Sequence, residues 1–166
     1  MKRSSRAAAA FSLVEVTFAL GVAAFCLIAV MGVLPVGLKV QQASVQQTTT
    51  NEIISEIAVD LRAAVRLPPG QVSKQFGLKG YWATVGTPDW LYFTNEGEQS
   101  SGSVVNQATV PTDAAFVAII NYRLPPTDTT SLADIVVSWP AAAVDPATGT
   151  GTPAGSVETF VAINRK

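Results

Sequence analysis

Between Val16 and Leu38 the chain runs for 23 residues without a charged side chain; further on, the spacing of its apolar positions changes twice. At 1.5 Å per residue, 23 residues of helix extend about 34 Å, enough to cross a hydrocarbon core of about 30 Å. Pro35, flanked by Gly32 and Gly37, falls near the outer end of this run. A proline there removes one helix hydrogen bond and crowds the preceding turn, so a kink or local unwinding is expected. A helical pattern then resumes. Val36, Val40, Ala43, Gln47, Thr50, Ile54, Ile57, Leu61 and Ala64 advance in alternating steps of four and three, the spacing of one helix face. The stretch 41–50 is mostly polar, whereas 53–65 is amphipathic and needs an apolar partner. Leu67-Pro68-Pro69-Gly70 is a strong stop signal.

After Gly70 the texture becomes β-branched and aromatic, broken by Gly, Pro, Asn and Asp, as in an antiparallel sheet. The expected strands are 81–85, 90–94, 115–123, 135–139 and 157–163. Turn signals lie between them at 95–98, 125–128 and 145–149, and the low-complexity stretch 141–155 reads as a long mobile hairpin loop. An amphipathic helix laid on a twisted sheet buries both apolar faces, so the expected class is α+β. The expected organisation is a basic leader at 1–10, a membrane-spanning helix at 11–38, an amphipathic stalk helix at 39–66 and a β-rich head at 70–166.

Composition narrows the chemistry. The 166 residues leave room for one ordinary domain plus an anchor. Eleven basic and twelve acidic side chains nearly balance, but three of the basic ones, Lys2, Arg3 and Arg6, precede Phe11. They hold that end in the cytoplasm by the positive-inside bias and send the remainder outward. No basic cluster lies outside this leader, so no nucleic-acid partner is expected. Histidine is absent, and the only cysteine, Cys26, sits within the apolar run. Ser/His/Asp and Cys/His catalytic arrangements are therefore excluded, as are intrachain disulfides. No catalytic residue, metal or cofactor is expected. Asp128 with Asp134 and Glu96 with Glu98 offer oxygens for Ca²⁺, but their spacing lacks an EF-hand series, and solvated turns are the better reading. Glu52, Glu56 and Asp60 form an i, i+4 row of like charge, read as a solvated or subunit-facing side. Tyr81, Trp82 and Trp90 are read as sheet core rather than an exposed binding patch.

The residue that a plain membrane anchor leaves unexplained is Glu15, placed where the apolar run begins. A carboxylate at the bilayer centre costs about 2.5–3.5 kcal/mol on insertion scales, less toward the ends. An ordinary secretory signal has a shorter apolar core, and a lipoprotein signal wants a small residue where Phe25 precedes Cys26.

The stretch Phe11-Ser12-Leu13-Val14-Glu15-Val16-Thr17-Phe18-Ala19-Leu20 resembles the N-terminal motif of type IV pilins and of the pseudopilins of type II secretion systems. The resemblance implies a pilin-like fold, a long N-terminal helix packed on an antiparallel sheet. It also implies that a prepilin peptidase cuts between Ala10 and Phe11 and methylates the new amino terminus, with Glu15 as the carboxylate that supports assembly. Ala10 stands where the family usually has glycine; alanine is also small. Val137-Ser138-Trp139-Pro140 with the later Val157-Glu158-Thr159-Phe160 is similar to the C-terminal strands of minor pseudopilins of the I or V type. The whole texture resembles the B protein of the Verru_Chthon cassette, from Verrucomicrobia. Implied partners are the peptidase, other pilin-like subunits, inner-membrane assembly machinery and, before assembly, membrane lipid. The expected location is the inner membrane, single-pass, with a periplasmic or extracellular head that joins a filament, and the expected function is mechanical, as a minor component. Two other classes stay open: a non-assembling bitopic membrane protein whose β-rich head binds a ligand or partner, and a membrane-anchored enzyme, disfavoured by the missing histidine.

Overall fold

A computed structural model of the chain describes residues 12–64, 67–68, 70–79, 87–123 and 130–164, with backbone alone at 130–131 and 163–164. The leader, Phe11 and the strand expected at 81–85 lie outside the described residues. The architecture is one long helix followed by an antiparallel sheet, an α+β layout.

Helix α1 runs from Leu13 to Ala64, 52 residues that include Pro35. Helical backbone continues on both sides of Pro35, so the proline lies within the helix and does not end it. The chain divides into two compact units between Ala43 and Ser44, within α1. In the first unit every described residue, Ser12 to Ala43, is exposed. Among the described residues this is the one helix long and apolar enough to cross a membrane.

The second unit begins with the rest of α1, where Thr49, Thr50, Ile53, Ile57, Ala58, Asp60, Leu61 and Ala64 are buried. Of the face expected in this unit, Thr50, Ile57, Leu61 and Ala64 are buried; Gln47 is exposed, Ile53 takes the fully buried place while Ile54 only packs at the margin, and Thr49, Ala58 and Asp60 are buried as well. Successive residues are 100° apart on a helix, so the buried arc is centred one position earlier than the spacing alone suggests.

The sheet comprises β1 (Asp89–Phe93), β2 (Phe116–Arg123), β3 (Thr130–Trp139) and β6 (Gly155–Asn164), in the order β1-β2-β3-β6 with every pair antiparallel. A two-stranded ribbon of β4 (Val144–Asp145) and β5 (Thr150–Gly151) is inserted between β3 and β6. Alternation along the strands sorts side chains onto two faces. On one, Leu91, Phe93, Phe116, Ala118, Ile120, Tyr122, Ala133, Ile135, Val137 and Val161 pack with Ile53, Ile57, Ala58 and Leu61 of α1. Phe76 and Leu78 complete this core, with Phe76 edge-on to Phe93 at 5.7 Å between centroids. Each fully buried aliphatic or aromatic side chain here contributes about 1.5–3 kcal/mol relative to exposure.

On the other face Tyr92, Val117 and Ile119 are covered by Ala141 and Val144, with Trp90 and Ala114 at the margin. The stretch 141–155 is therefore a structured cap: a 3-10 turn at Ala141–Ala143, then the β4–β5 ribbon. Val117 to Ile120 are buried on both faces, which explains the continuous apolar run of β2. The outer edge of β1 is bridged by the following loop, with Ser100 N–H donating to the Tyr92 carbonyl (2.9 Å) and Asn106 N–H to the Trp90 carbonyl (3.0 Å).

Gly151 is required by this cap, because a Cβ there would overlap the carbonyl oxygen and carbon of Ala143. The obstacle is backbone, so no side-chain rotation relieves it. Gly151→Ala is expected to cost about 1–3 kcal/mol in chemical denaturation of the full chain. An unchanged midpoint would show that the ribbon shifts freely.

Candidate functional site

The peptide groups at the start of α1 place Glu15. The carbonyl of Ser12 accepts hydrogen bonds from the N–H groups of Glu15 (3.0 Å) and Val16 (3.2 Å), closing the first turn. Glu15 is thus a first-turn acidic residue, where the helix dipole favours negative charge. That contribution, about 0.3–1 kcal/mol, is smaller than the 2.5–3.5 kcal/mol or so that a carboxylate costs deep in a bilayer. The surface around Glu15 is apolar: Leu13, Val14, Val16, Phe18 and Leu20 are all exposed. Thr17 offers no counter-charge, and its hydroxyl donates to the Val14 carbonyl at 2.9 Å. Glu15 therefore stands as the one carboxylate on an unpartnered apolar surface. Ala10 and Phe11 lie outside the described residues. Pro35 is more than five turns from Glu15, and Cys26 is exposed on the same helix.

In the second unit the carboxylates are distributed differently from the sequence reading. Glu52 and Glu56 are exposed, but Asp60, expected to share their solvated row, is only 5% exposed. Its carboxylate accepts the backbone N–H groups of Phe76 (3.2 Å) and Gln75 (3.4 Å), fixing the turn that carries Phe76 into the core. Asp89 is 1% exposed and is the most connected acid in the head. It accepts from the Tyr122 hydroxyl (2.8 Å) and the Asn106 amide (2.9 Å), and its Oδ1 lies 3.5 Å from the Lys79 ammonium. Neither role was visible in sequence, since nothing local marks either aspartate as buried. Their partners lie 10 to 33 residues away.

Asp134, one of the acids considered for calcium, is buried on β3. Its Oδ2 lies 3.5 Å from the Arg123 guanidinium, and its Oδ1 has no hydrogen-bond partner. Burial, with a further push from Glu158, raises its pKa above the ordinary value; Arg123 opposes the shift. Asp128 lies outside the described residues, while Glu96 and Glu98 are both exposed around a turn. No group of three potential metal ligands occurs among the described residues. Asp113, by contrast, is held below the usual carboxylate range by hydrogen bonds from the Ser100 hydroxyl and the Ser101 N–H. Tyr92 is fully buried, and burial, aided by Asp145, raises its phenol pKa. Trp90 packs at the edge of the second cluster and donates its Nε1–H to the Gln107 carbonyl at 2.9 Å, whereas Tyr81 and Trp82 lie outside the described residues.

The raised Asp134 pKa has a sign. The folded chain holds this proton more tightly than the unfolded chain, so acidification favours folding. The contribution is greatest below the unfolded value, about 3.9, and is lost as pH rises through the elevated folded value. Asp134→Asn is therefore expected to stabilise the head at pH 7–8 and to change little near pH 4. Thermal melts at both values check this; a loss of stability at pH 7 would show that the Arg123 pair outweighs burial.

None of these head groups converges with another into a catalytic arrangement, and the feature best placed to act is the exposed apolar helix with Glu15 in its first turn. Comparison with family models, with curated proteins and with solved structures finds no match for the chain.

Proposed function

We propose that this protein is a pilin-like structural subunit, held in the inner membrane by α1 and assembled through that helix into a type IV pilus-like or type II secretion filament as a minor component. The observation that carries the reading is Glu15: one carboxylate in the first turn of a helix that carries no other charge until Lys39 and is exposed from Ser12 to Ala43. Bilayer lipid satisfies the apolar side chains but not the carboxylate. A cationic α-amino group satisfies it, and cleavage between Ala10 and Phe11 would create one at the end of each neighbouring subunit. The helix then has two successive environments, lipid before assembly and other subunits after it. The head, with its aspartates spent on internal hydrogen bonds and ion pairs, serves as the part displayed outside the membrane. A prepilin peptidase and inner-membrane assembly machinery are the required partners.

Mass spectrometry of the mature N-terminus tests the proposal. The expected species begins at methylated Phe11; an intact Met1, or a cut elsewhere, would overturn it.

A further inference from the structure

The tip of the β4–β5 ribbon arches over the sheet face opposite α1 and leaves a cleft of about 330 Å³. Ile119 and Asn121 of β2 and Val136 of β3 line it from the sheet; Pro88 and the tip residues 146–149 line the rest. The tip is held in place: the Asp145 carboxylate accepts from the Ala147 N–H (3.0 Å) and the Thr148 hydroxyl (2.9 Å), and the Gly149 N–H donates to the Asp145 carbonyl (2.8 Å). These bonds leave the tip little freedom to collapse onto the sheet.

Asn121 is the unusual member of the lining. It follows Ile119 and Ile120 in the second strand of the sheet, where asparagine is disfavoured. Its side-chain amide makes no hydrogen bond among the described residues, so its donor and acceptor are free to serve the cleft. The remaining sheet contribution, Ile119 and Val136, is aliphatic, with two prolines opposite. A ligand that fits has an apolar body and one polar end.

The strand register decides the charge of that end. Glu158 is the cross-strand partner of Val136, Asp134 is the partner of Asn121, and Asp145 directly precedes the tip. Glu158 and Asp145 thus neighbour cleft-lining positions in register or in sequence, while Asp134 is buried and paired with Arg123. Against them stands Arg123, already drawn toward Asp134 and over the Phe160 ring at 5.9 Å. The local field favours a cation.

We infer that the cleft binds an alkylammonium group, either the end of a lysine side chain on another polypeptide or a free aliphatic amine. The methylene stem lies on Ile119, Val136 and the prolines, while the ammonium donates to the Asn121 carbonyl oxygen within the field of Glu158. This inference is independent of filament assembly.

The test is a titration of the full chain in detergent micelles, read by NMR at the Asn121 side-chain amide and the backbone amides of 147–149. The probes are acetyl-Ala-Lys-Ala-amide, n-butylammonium, and acetyl-Ala-norleucine-Ala-amide as the uncharged counterpart. Saturable shifts with either amine are expected, at least ~10-fold weaker with norleucine, and weakened further by added salt. Tighter binding of the peptide identifies a lysine side chain as the source; equal or tighter binding of butylammonium identifies a free amine. Glu158→Gln, on an exposed position, is expected to weaken either amine ~3-fold or more while leaving the remaining amide spectrum in place. Equal shifts with norleucine, absence of saturation with both amines, or indifference to Glu158→Gln would each overturn the inference.

Discussion

Replacing Asp89 with alanine is expected to destabilise the head by about 2–5 kcal/mol, the largest loss expected from any polar side chain among the described residues of the head. The carboxylate is 1% exposed, and three groups depend on it: the Tyr122 hydroxyl on β2, the Asn106 amide in the loop beyond β1, and the Lys79 ammonium. Removing it takes this acceptor from both the Tyr122 hydroxyl and the Asn106 amide, and each buried hydrogen bond lost in this way costs about 1–3 kcal/mol. The Asn106 bond also helps hold the loop that covers the edge of β1, where Trp90 N–H donates to the Asn106 carbonyl oxygen of the side chain at 2.9 Å. Tyr122→Phe removes the Tyr122–Asp89 bond but leaves the other partners of Asp89 in place, and is expected to cost only about 1 kcal/mol. Denaturant unfolding of the full chain, followed by Trp fluorescence, separates the two. Similar midpoints for both variants would mean that Asp89 is not the hub its geometry indicates.

Glu15→Ala is expected to leave membrane insertion intact and to abolish or strongly reduce incorporation into filaments. Insertion depends on the apolar run, and removing a charge from its start makes transfer into lipid no harder. Assembly, on the proposed reading, joins this carboxylate to the amino terminus of a neighbouring subunit. Without Glu15 that cation is left uncompensated in an apolar environment, a penalty of about 3–5 kcal/mol at every contact where it occurs. Membrane fractionation measures the first property, and the amount of the variant in sheared filaments the second. Incorporation equal to that of the unaltered chain would remove the main support for the proposal. Defective insertion would show instead that Glu15 acts before assembly.

Much of the fold is legible in the residues because its signals are local. The four strands of the main sheet fall within about five residues of the β-branched and aromatic runs that announce them, at 89–93, 116–123, 130–139 and 155–164. The buried stripe of α1 keeps the expected period at Thr50, Ile57, Leu61 and Ala64, with Ile53 buried in place of Ile54. The stretch 141–155 is where composition misleads. Its alanines, glycines and threonines suggest a loose loop, yet Ala141 and Val144 are buried on Tyr92, Val117 and Ile119. A small side chain fills a shallow space well, and sequence does not reveal that such a space exists. Gly155 is a related case: Trp139 is its cross-strand partner, and the indole occupies the room that a Cβ would need.

The candidate site divides along the same line. Glu15 is conspicuous in the sequence because a lone carboxylate contrasts with its apolar neighbours, a property of adjacent residues. The cleft beside Asn121 is not, because its lining comes from the segment before β1, from β2, from β3 and from the ribbon tip. By itself the sequence determined the apolar helix long enough to span a bilayer, the helix period and the β texture, since solvent preference and backbone propensity act over a few residues. Only the tertiary structure decided which aspartates are buried, what the low-complexity stretch covers and which residues line the cleft beside Asn121. Those outcomes depend on strand order and register, which bring distant residues within hydrogen-bonding distance.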